Sequence, residues 1–204
     1  CIGENRNIAA LSDGLGSGVK ANVLSTMTAS MAMNFRVRHE PILRTIKAIM
    51  DTLPVDSVRN ISYSTFTIID VDSDGEAKIV EFDNPPLLLV RDNKVTRIKT
   101  DDTIIKRKAE GDRQDERLIK MSNITLKKED RLICFSDGVS QSGIGNRDMP
   151  FGWEDGIDEF IEELVKKKPK ISARELSMRI VKQAELNDIL KPKDDTSCVV
   201  LYVR

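Results

Sequence analysis

Short apolar runs and amphipathic stretches follow one another along the chain. Ile8-Ala9-Ala10-Leu11 is apolar without alternation, the mark of a strand covered on both faces, and the glycine-rich turn Gly14-Leu15-Gly16-Ser17-Gly18 follows it. Leu24, Met27, Met31 and Phe35 then recur at helical spacing, which predicts a helix with those side chains in the core. A second amphipathic stretch runs from Pro41 to Leu53. From Ser64 to Lys99 the pattern is strand-like. Thr65 to Ile69 and Ala77 to Phe82 flank the turn Asp72-Ser73-Asp74-Gly75; after Pro85-Pro86, Leu87 to Val90 and Lys94 to Ile98 flank Arg91-Asp92-Asn93. Both pairs read as antiparallel hairpins. Residues 100–116 are polar and read as a mobile loop, whereas Leu132-Ile133-Cys134-Phe135 reads as a buried strand. Ile157, Phe160, Ile161, Leu164 and Val165 mark one late helix. Leu176, Ile180 and Ala184 mark another, opened by the capping box Ser172-x-x-Glu175. Cys198 to Val203 closes the chain as an apolar strand.

Helices early and late, with a meander of strands between them, predict an α+β protein whose antiparallel sheet core is covered by helices. No repeat, low-complexity tract or linker divides residues 1–204, so a single domain is expected. Lys plus Arg total 32 against 33 Asp plus Glu, a formal net charge of −1. That balance gives no global pull toward nucleic acid or an anionic membrane. No apolar run approaches the ~20 residues that span a bilayer, so no direct membrane contact is expected. Three cysteines without paired spacing point to a reducing, cytoplasmic compartment, and one histidine excludes sites built from several imidazoles. The opening at Cys1, inside a polar stretch, reads as the start of an amino-terminally incomplete fragment.

Two apolar runs end in the same tripeptide, Ser12-Asp13-Gly14 and Ser136-Asp137-Gly138, while Asp194-Asp195 precedes a strand instead. If the last strand runs antiparallel to the other two, Asp13, Asp137 and Asp194 gather at one sheet edge. Three carboxylates together repel, and a hard divalent cation such as Mg²⁺ or Mn²⁺ relieves that repulsion. Glycine after Asp13 makes the Gly14 carbonyl available as a further oxygen ligand. An all-oxygen set of this kind suits a two-metal centre.

The segments Leu11-Ser12-Asp13-Gly14-Leu15-Gly16-Ser17-Gly18, Phe135-Ser136-Asp137-Gly138-Val139 and Lys193-Asp194-Asp195-Thr196-Ser197-Cys198-Val199-Val200 resemble the acidic motifs of the SpoIIE-like serine phosphatases. That group is the bacterial branch of the metal-dependent protein phosphatases related to type 2C. The order and spacing match across nearly the whole chain, and Asn84-Pro85-Pro86 falls where the branch has a small–Pro turn. The resemblance implies a four-layer αββα sandwich of two mainly antiparallel sheets, with two Mn²⁺ or Mg²⁺ ions at one end. It implies that Asp13 bridges the ions, that Gly14 gives its carbonyl to one, and that Asp137 and Asp194 hold the other. Asp195 takes a more variable place outside the direct ligands. The implied activity is hydrolysis of phosphoserine or phosphothreonine on a partner protein by water bridging the two ions. Small anti-sigma-factor antagonists are frequent substrates, and an upstream sensory or membrane segment often exerts control. The family's first Gly-Asp motif and its Leu-Pro-x-Gly segment have no recognisable counterpart here. The missing Gly-Asp keeps a second reading open, a catalytically inactive phosphatase-like module that binds or senses a partner.

Other signals read more simply. Gly14-x-Gly16-x-Gly18 is neither G-x-G-x-x-G nor a Walker loop, and reads as room for a tight turn after Asp13. Cys198 and Arg204 carry the spacing of cysteine phosphatases, but a strand rather than a phosphate loop separates them. His39 reads as a helix-end residue, Lys166-Lys167-Lys168 as a solvated helix terminus, and Trp153 as a packing anchor.

Overall fold

The computed structural model describes residues 2–3, 6–16, 18–53, 64–108, 114–147 and 150–204. In chain order its elements are β1 (Ile2–Gly3), β2 (Arg6–Gly14), α1 (Val19–Val37), α2 (Ile42–Thr52), β3 (Ser64–Asp72), β4 (Glu76–Phe82), β5 (Leu88–Arg91), β6 (Lys94–Arg97), β7 (Asp101–Lys108), β8 (Gln114–Thr125), β9 (Arg131–Phe135), α3 (Asp137–Ser140), α4 (Gly156–Lys167), α5 (Ala173–Asn187) and β10 (Cys198–Tyr202). They fall into two compact units, Cys1–Asp83 with Lys99–Thr125, and Asn84–Ile98 with Leu126–Arg204. The α+β class expected from the pattern stands: each unit carries one antiparallel sheet with helices.

In the first unit the strand order is β1-β2-β3-β4-β8-β7. Phe66, Ile68, Val80, Phe82 and Ile119 pack with Ala32 of α1 and with Ile46, Ile49 and Met50 of α2. The Phe66 and Phe82 rings stand 5.4 Å apart at a tilt, a favourable aromatic pair. Two sequence expectations change here. The buried stripe of α1 is Ala21, Leu24, Thr28, Ala32 and Arg36, while Met27, Met31 and Phe35 are only half-buried. Small residues bring the helix close to the sheet, and hydrophobicity alone selects the larger neighbours. The polar segment 100–116 is not a loop over its described part, because β7 and β8 pair along it. β7 is an edge strand whose Ile104 and Lys106 face solvent while Thr103 and Ile105 are half-buried. Edge strands are kept soluble by charge, which hides them from a search for apolar runs. Ile8-Ala9-Ala10-Leu11 forms the strand expected, but burial is complete only at Ile8 and Leu11.

In the second unit the order is β10-β9-β5-β6. Asp92 and Asn93 take φ values of 54° and 60°, the left-handed turn that closes the β5–β6 hairpin. Leu88, Val90, Ile133 and Phe135 form a core with Ile157, Ile161 and Val165 of α4 and Leu176, Ile180 and Ala184 of α5. The two late helices therefore bury the faces their periodicity predicts. β10 runs antiparallel to β9 with Cys198 opposite Phe135, so the segment before β10 meets the carboxyl end of β9. Among the described residues no helix is long and apolar enough to cross a membrane.

Candidate functional site

The end of β9 and the approach to β10 are sewn together. Ser136 N–H donates to the Ser197 carbonyl at 3.0 Å, and Ser197 N–H donates to Ser136 Oγ at 2.9 Å. Ser136 Oγ in turn donates to the Asp195 carbonyl at 2.7 Å. Asp137 then opens α3, and the following glycine is dictated by contact. A Cβ on Gly138 would stand 2.4 Å from the Asp195 oxygen and 3.2 Å from the Asp194 carbonyl carbon. The second unit thus brings the Asp137 and Asp194 segments against each other. Asp137 is half-buried and one of its carboxylate oxygens accepts from Gln141 Nε2 at 3.2 Å. Asp194 is exposed, and its Oδ1 accepts from Asp195 N–H at 2.8 Å. Among the described residues neither carboxylate has an ion-pair partner.

In the first unit Asp13 and Gly14 close β2, opposite Thr65 and Ser64. Ser64 Oγ donates to the Asp13 carbonyl at 2.9 Å, and Ser12 Oγ donates to the Thr65 carbonyl at 2.7 Å. A Cβ on Gly14 would stand 2.3 Å from the Ala21 carbonyl oxygen, so the glycine is required by the packing of α1 on the strand. Gly16 and Gly18, at φ +82° and +92°, supply the left-handed backbone that leads into α1.

Among the described residues there is no group of three His, Cys, Asp or Glu side chains that could hold a metal ion. One candidate carboxylate and the Gly14 carbonyl belong to the first unit, two carboxylates to the second. The donors are all oxygen, and two of them lack a countercharge among the described residues, a chemistry that fits hard divalent ions and not a thiolate or imidazole metal. Asp195 contributes its carbonyl to Ser136, and its side chain is exposed.

The remaining signals are accounted for locally. His39 follows α1 at φ 60°, where its Nδ1 accepts from Arg6 Nη1 at 2.8 Å. Burial pushes the Cys198 thiol up to about 12, which removes the thiolate that a cysteine phosphatase needs. Lys166, Lys167 and Lys168 pair with Glu162, Glu163 and Glu175. Trp153 is 57% exposed and is not the packing anchor its size suggests; it edges a cavity of about 390 Å³ with Phe151 and Glu154. Sequence reading missed Ser12, Ser64, Ser136 and Gln141 as supports of the acidic residues. The repeated Ser-Asp-Gly tripeptide was the available signal.

The family model for Stage II sporulation protein E (SpoIIE) matches residues 3–204. No curated protein matches the chain significantly. Solved structures share the fold, three of them as follows. The PP2C phosphatase domain with a regulatory fragment of SpoIIE from Bacillus subtilis is 19% identical at a TM-score of 0.70, over 98% of this chain and 55% of that one. RsbX in complex with magnesium is 17% identical at a TM-score of 0.64, over 100% of this chain and 84% of that one. The S. agalactiae serine/threonine phosphatase is 12% identical at 0.66, over 98% and 88%. At these identities the likeness establishes a PP2C-like phosphatase fold. The chain spans about half the length of the B. subtilis SpoIIE structure.

Proposed function

The chain belongs to the stage II sporulation protein E (SpoIIE) family, and from that premise we propose that it is a metal-dependent phosphatase domain acting on phosphoserine or phosphothreonine of a partner protein. The observation that carries the reading is the contact of two acidic segments whose carboxylates have no countercharge among the described residues. Asp13, Asp137, Asp194 and the Gly14 carbonyl would be the ligands for two Mn²⁺ or Mg²⁺ ions. Bound there, the ions supply positive charge for the phosphoryl oxygens and lower the pKa of water toward neutrality.

The chain's own groups prepare that site. Gln141 holds one oxygen of Asp137 and the Asp195 N–H holds one of Asp194, which fixes both carboxylates and leaves the other oxygen of each for a cation. Ser64 holds the Asp13 carbonyl, so the last residues of β2 are fixed as well. The substrate is a phosphorylated protein, with a small anti-sigma-factor antagonist as the class the family resemblance favours. Nucleic acid and direct membrane contact have no part in this reading. The domain works in the cytoplasm, and the family resemblance implies that an upstream sensory or membrane segment often controls such a domain.

The test is phosphate release from a phosphoserine-bearing protein by the full chain. Release requires Mn²⁺ or Mg²⁺, stops with chelator, and falls on the order of 10²-fold or more in Asp13→Asn and Asp137→Asn, the equivalent of several kcal/mol of lost charge stabilisation. Equal rates with and without chelator overturn the proposal. Partner binding that survives Asp13→Asn, with no turnover by the unaltered chain, establishes the non-catalytic binding module instead.

A further inference from the structure

We propose that Ser136 is a positioning residue whose hydroxyl holds the Asp137 and Asp194 segments together and thereby sets the affinity of the site for divalent cations; this rests on the metal-dependent reading above.

Ser136 is 1% exposed and occupies the N-cap position of α3. A serine there ordinarily accepts a bond from the first turn of its own helix. Ser136 makes no such bond. Its hydroxyl is spent across the chain instead, donating to the Asp195 carbonyl and accepting from the Ser197 N–H. A hydroxyl has one proton and can accept as well, so one side chain satisfies two backbone groups of the incoming segment. Ser136 N–H adds a third bond, to the Ser197 carbonyl.

These bonds lie just past the last ladder pair, Phe135 with Cys198. Beyond it the chain toward Asp194 is exposed from Lys191 through Asp195. Two unneutralised carboxylates brought close repel, and an exposed segment yields to that repulsion unless it is tied. Ser136 supplies the tie, and Gly138 leaves the space for it. The two acidic segments are then held against each other before any ion arrives, so less ordering remains when one binds. Ser12, the first residue of the other Ser-Asp-Gly, uses its hydroxyl likewise on the Thr65 carbonyl. Alanine in place of Ser136 keeps the backbone bond and loses both hydroxyl bonds.

The experiment titrates Mn²⁺ into the full chain, reading free Mn²⁺ by electron paramagnetic resonance, for wild type, Ser136→Ala and Ser172→Ala. Ser172 accepts from Glu175 N–H at 3.1 Å as the cap of α5, so its loss is a comparable injury in the same unit that touches neither acidic segment. The expected result is affinity about 10- to 100-fold weaker in Ser136→Ala, the usual effect of removing a group that supports metal ligands, with Ser172→Ala unchanged. If Ser136→Ala does not fold, Ser136→Cys keeps the volume and weakens the bonds, and is held to the same expectation. Wild-type affinity in the folded Ser136 variant, or an equal loss in both variants, overturns the assignment while leaving the phosphatase reading intact. A wild-type chain that binds no Mn²⁺ overturns both.

Discussion

Asp70 is a heavily committed carboxylate of the first unit. It is 2% exposed, accepts from Arg6 Nε at 3.0 Å and from Arg36 Nε at 2.7 Å, and so ties β3 to β2 and α1. Arg36 is buried too, so removing Asp70 strands a cation away from water. Asp70→Ala is expected to lower stability by about 3–5 kcal/mol in urea unfolding, and a loss below about 1 kcal/mol would show that Arg36 finds other partners. Cys198 gives a second outcome at this scale. Its thiol is raised from 9.0 to about 12 by burial, so near pH 9 the folded chain holds on the order of 10³-fold less thiolate there than the unfolded chain. Alkylation mapped by peptide mass spectrometry should spare Cys198 until denaturant is added; labelling of the native protein at the rate of a free thiol would contradict this. Because the pKa is raised on folding, that contribution to stability is complete below pH 9 and is lost as pH climbs toward 12. Chemistry at this scale was only half legible in the sequence. The acidic side chains stood out by their repeated tripeptide, but Ser136 meets partners about 60 residues away, and no local pattern encodes such a bond.

Elements were legible where one physical signal dominated. The amphipathic spacing of α4 and α5 and the Asp92-Asn93 turn led directly to the observed structure. Half of the capping box formed as well: Ser172 caps Glu175 N–H, while the Glu175 carboxylate turns away to Lys168 and Arg179. The β7–β8 pair was missed because an edge strand carries charge, and the face of α1 was misread because its buried stripe adds the small Ala21, Thr28 and Ala32 and the ion-paired Arg36 to Leu24. The meeting of α3 with the 194–197 segment depends on Gly138, the last residue of the second Ser-Asp-Gly. Gly138→Ala must displace the Asp195 carbonyl, since its Cβ would stand 2.4 Å away. A loss of about 1–3 kcal/mol is expected from the overpacking, together with weakened Mn²⁺ binding. Unchanged stability and unchanged binding would mean that the segment shifts at no cost and that the contact is incidental.

At the scale of the whole molecule, the apolar pattern accounts for both cores but does not say how the strands divide. Consecutive hairpins read as a single meander, whereas β3–β4 and β5–β6 belong to different sheets. Pro85 and Pro86, read as a break between runs, lie where the chain passes from one unit to the other. The acidic motifs divide in the same way, Asp13 and Gly14 in the first unit and Asp137 and Asp194 in the second. The proposed ligands predict that ion binding stabilises the chain, by about 2.7 kcal/mol per ion when free ion exceeds Kd a hundredfold. The most direct measurement is the stoichiometry of bound Mn²⁺ by equilibrium dialysis in wild type, Asp13→Asn, Asp137→Asn and Asp194→Asn. The account predicts two ions per wild-type chain and fewer in each variant, including Asp13→Asn. Two ions retained by all three variants, or none bound by the folded wild-type chain, would contradict it.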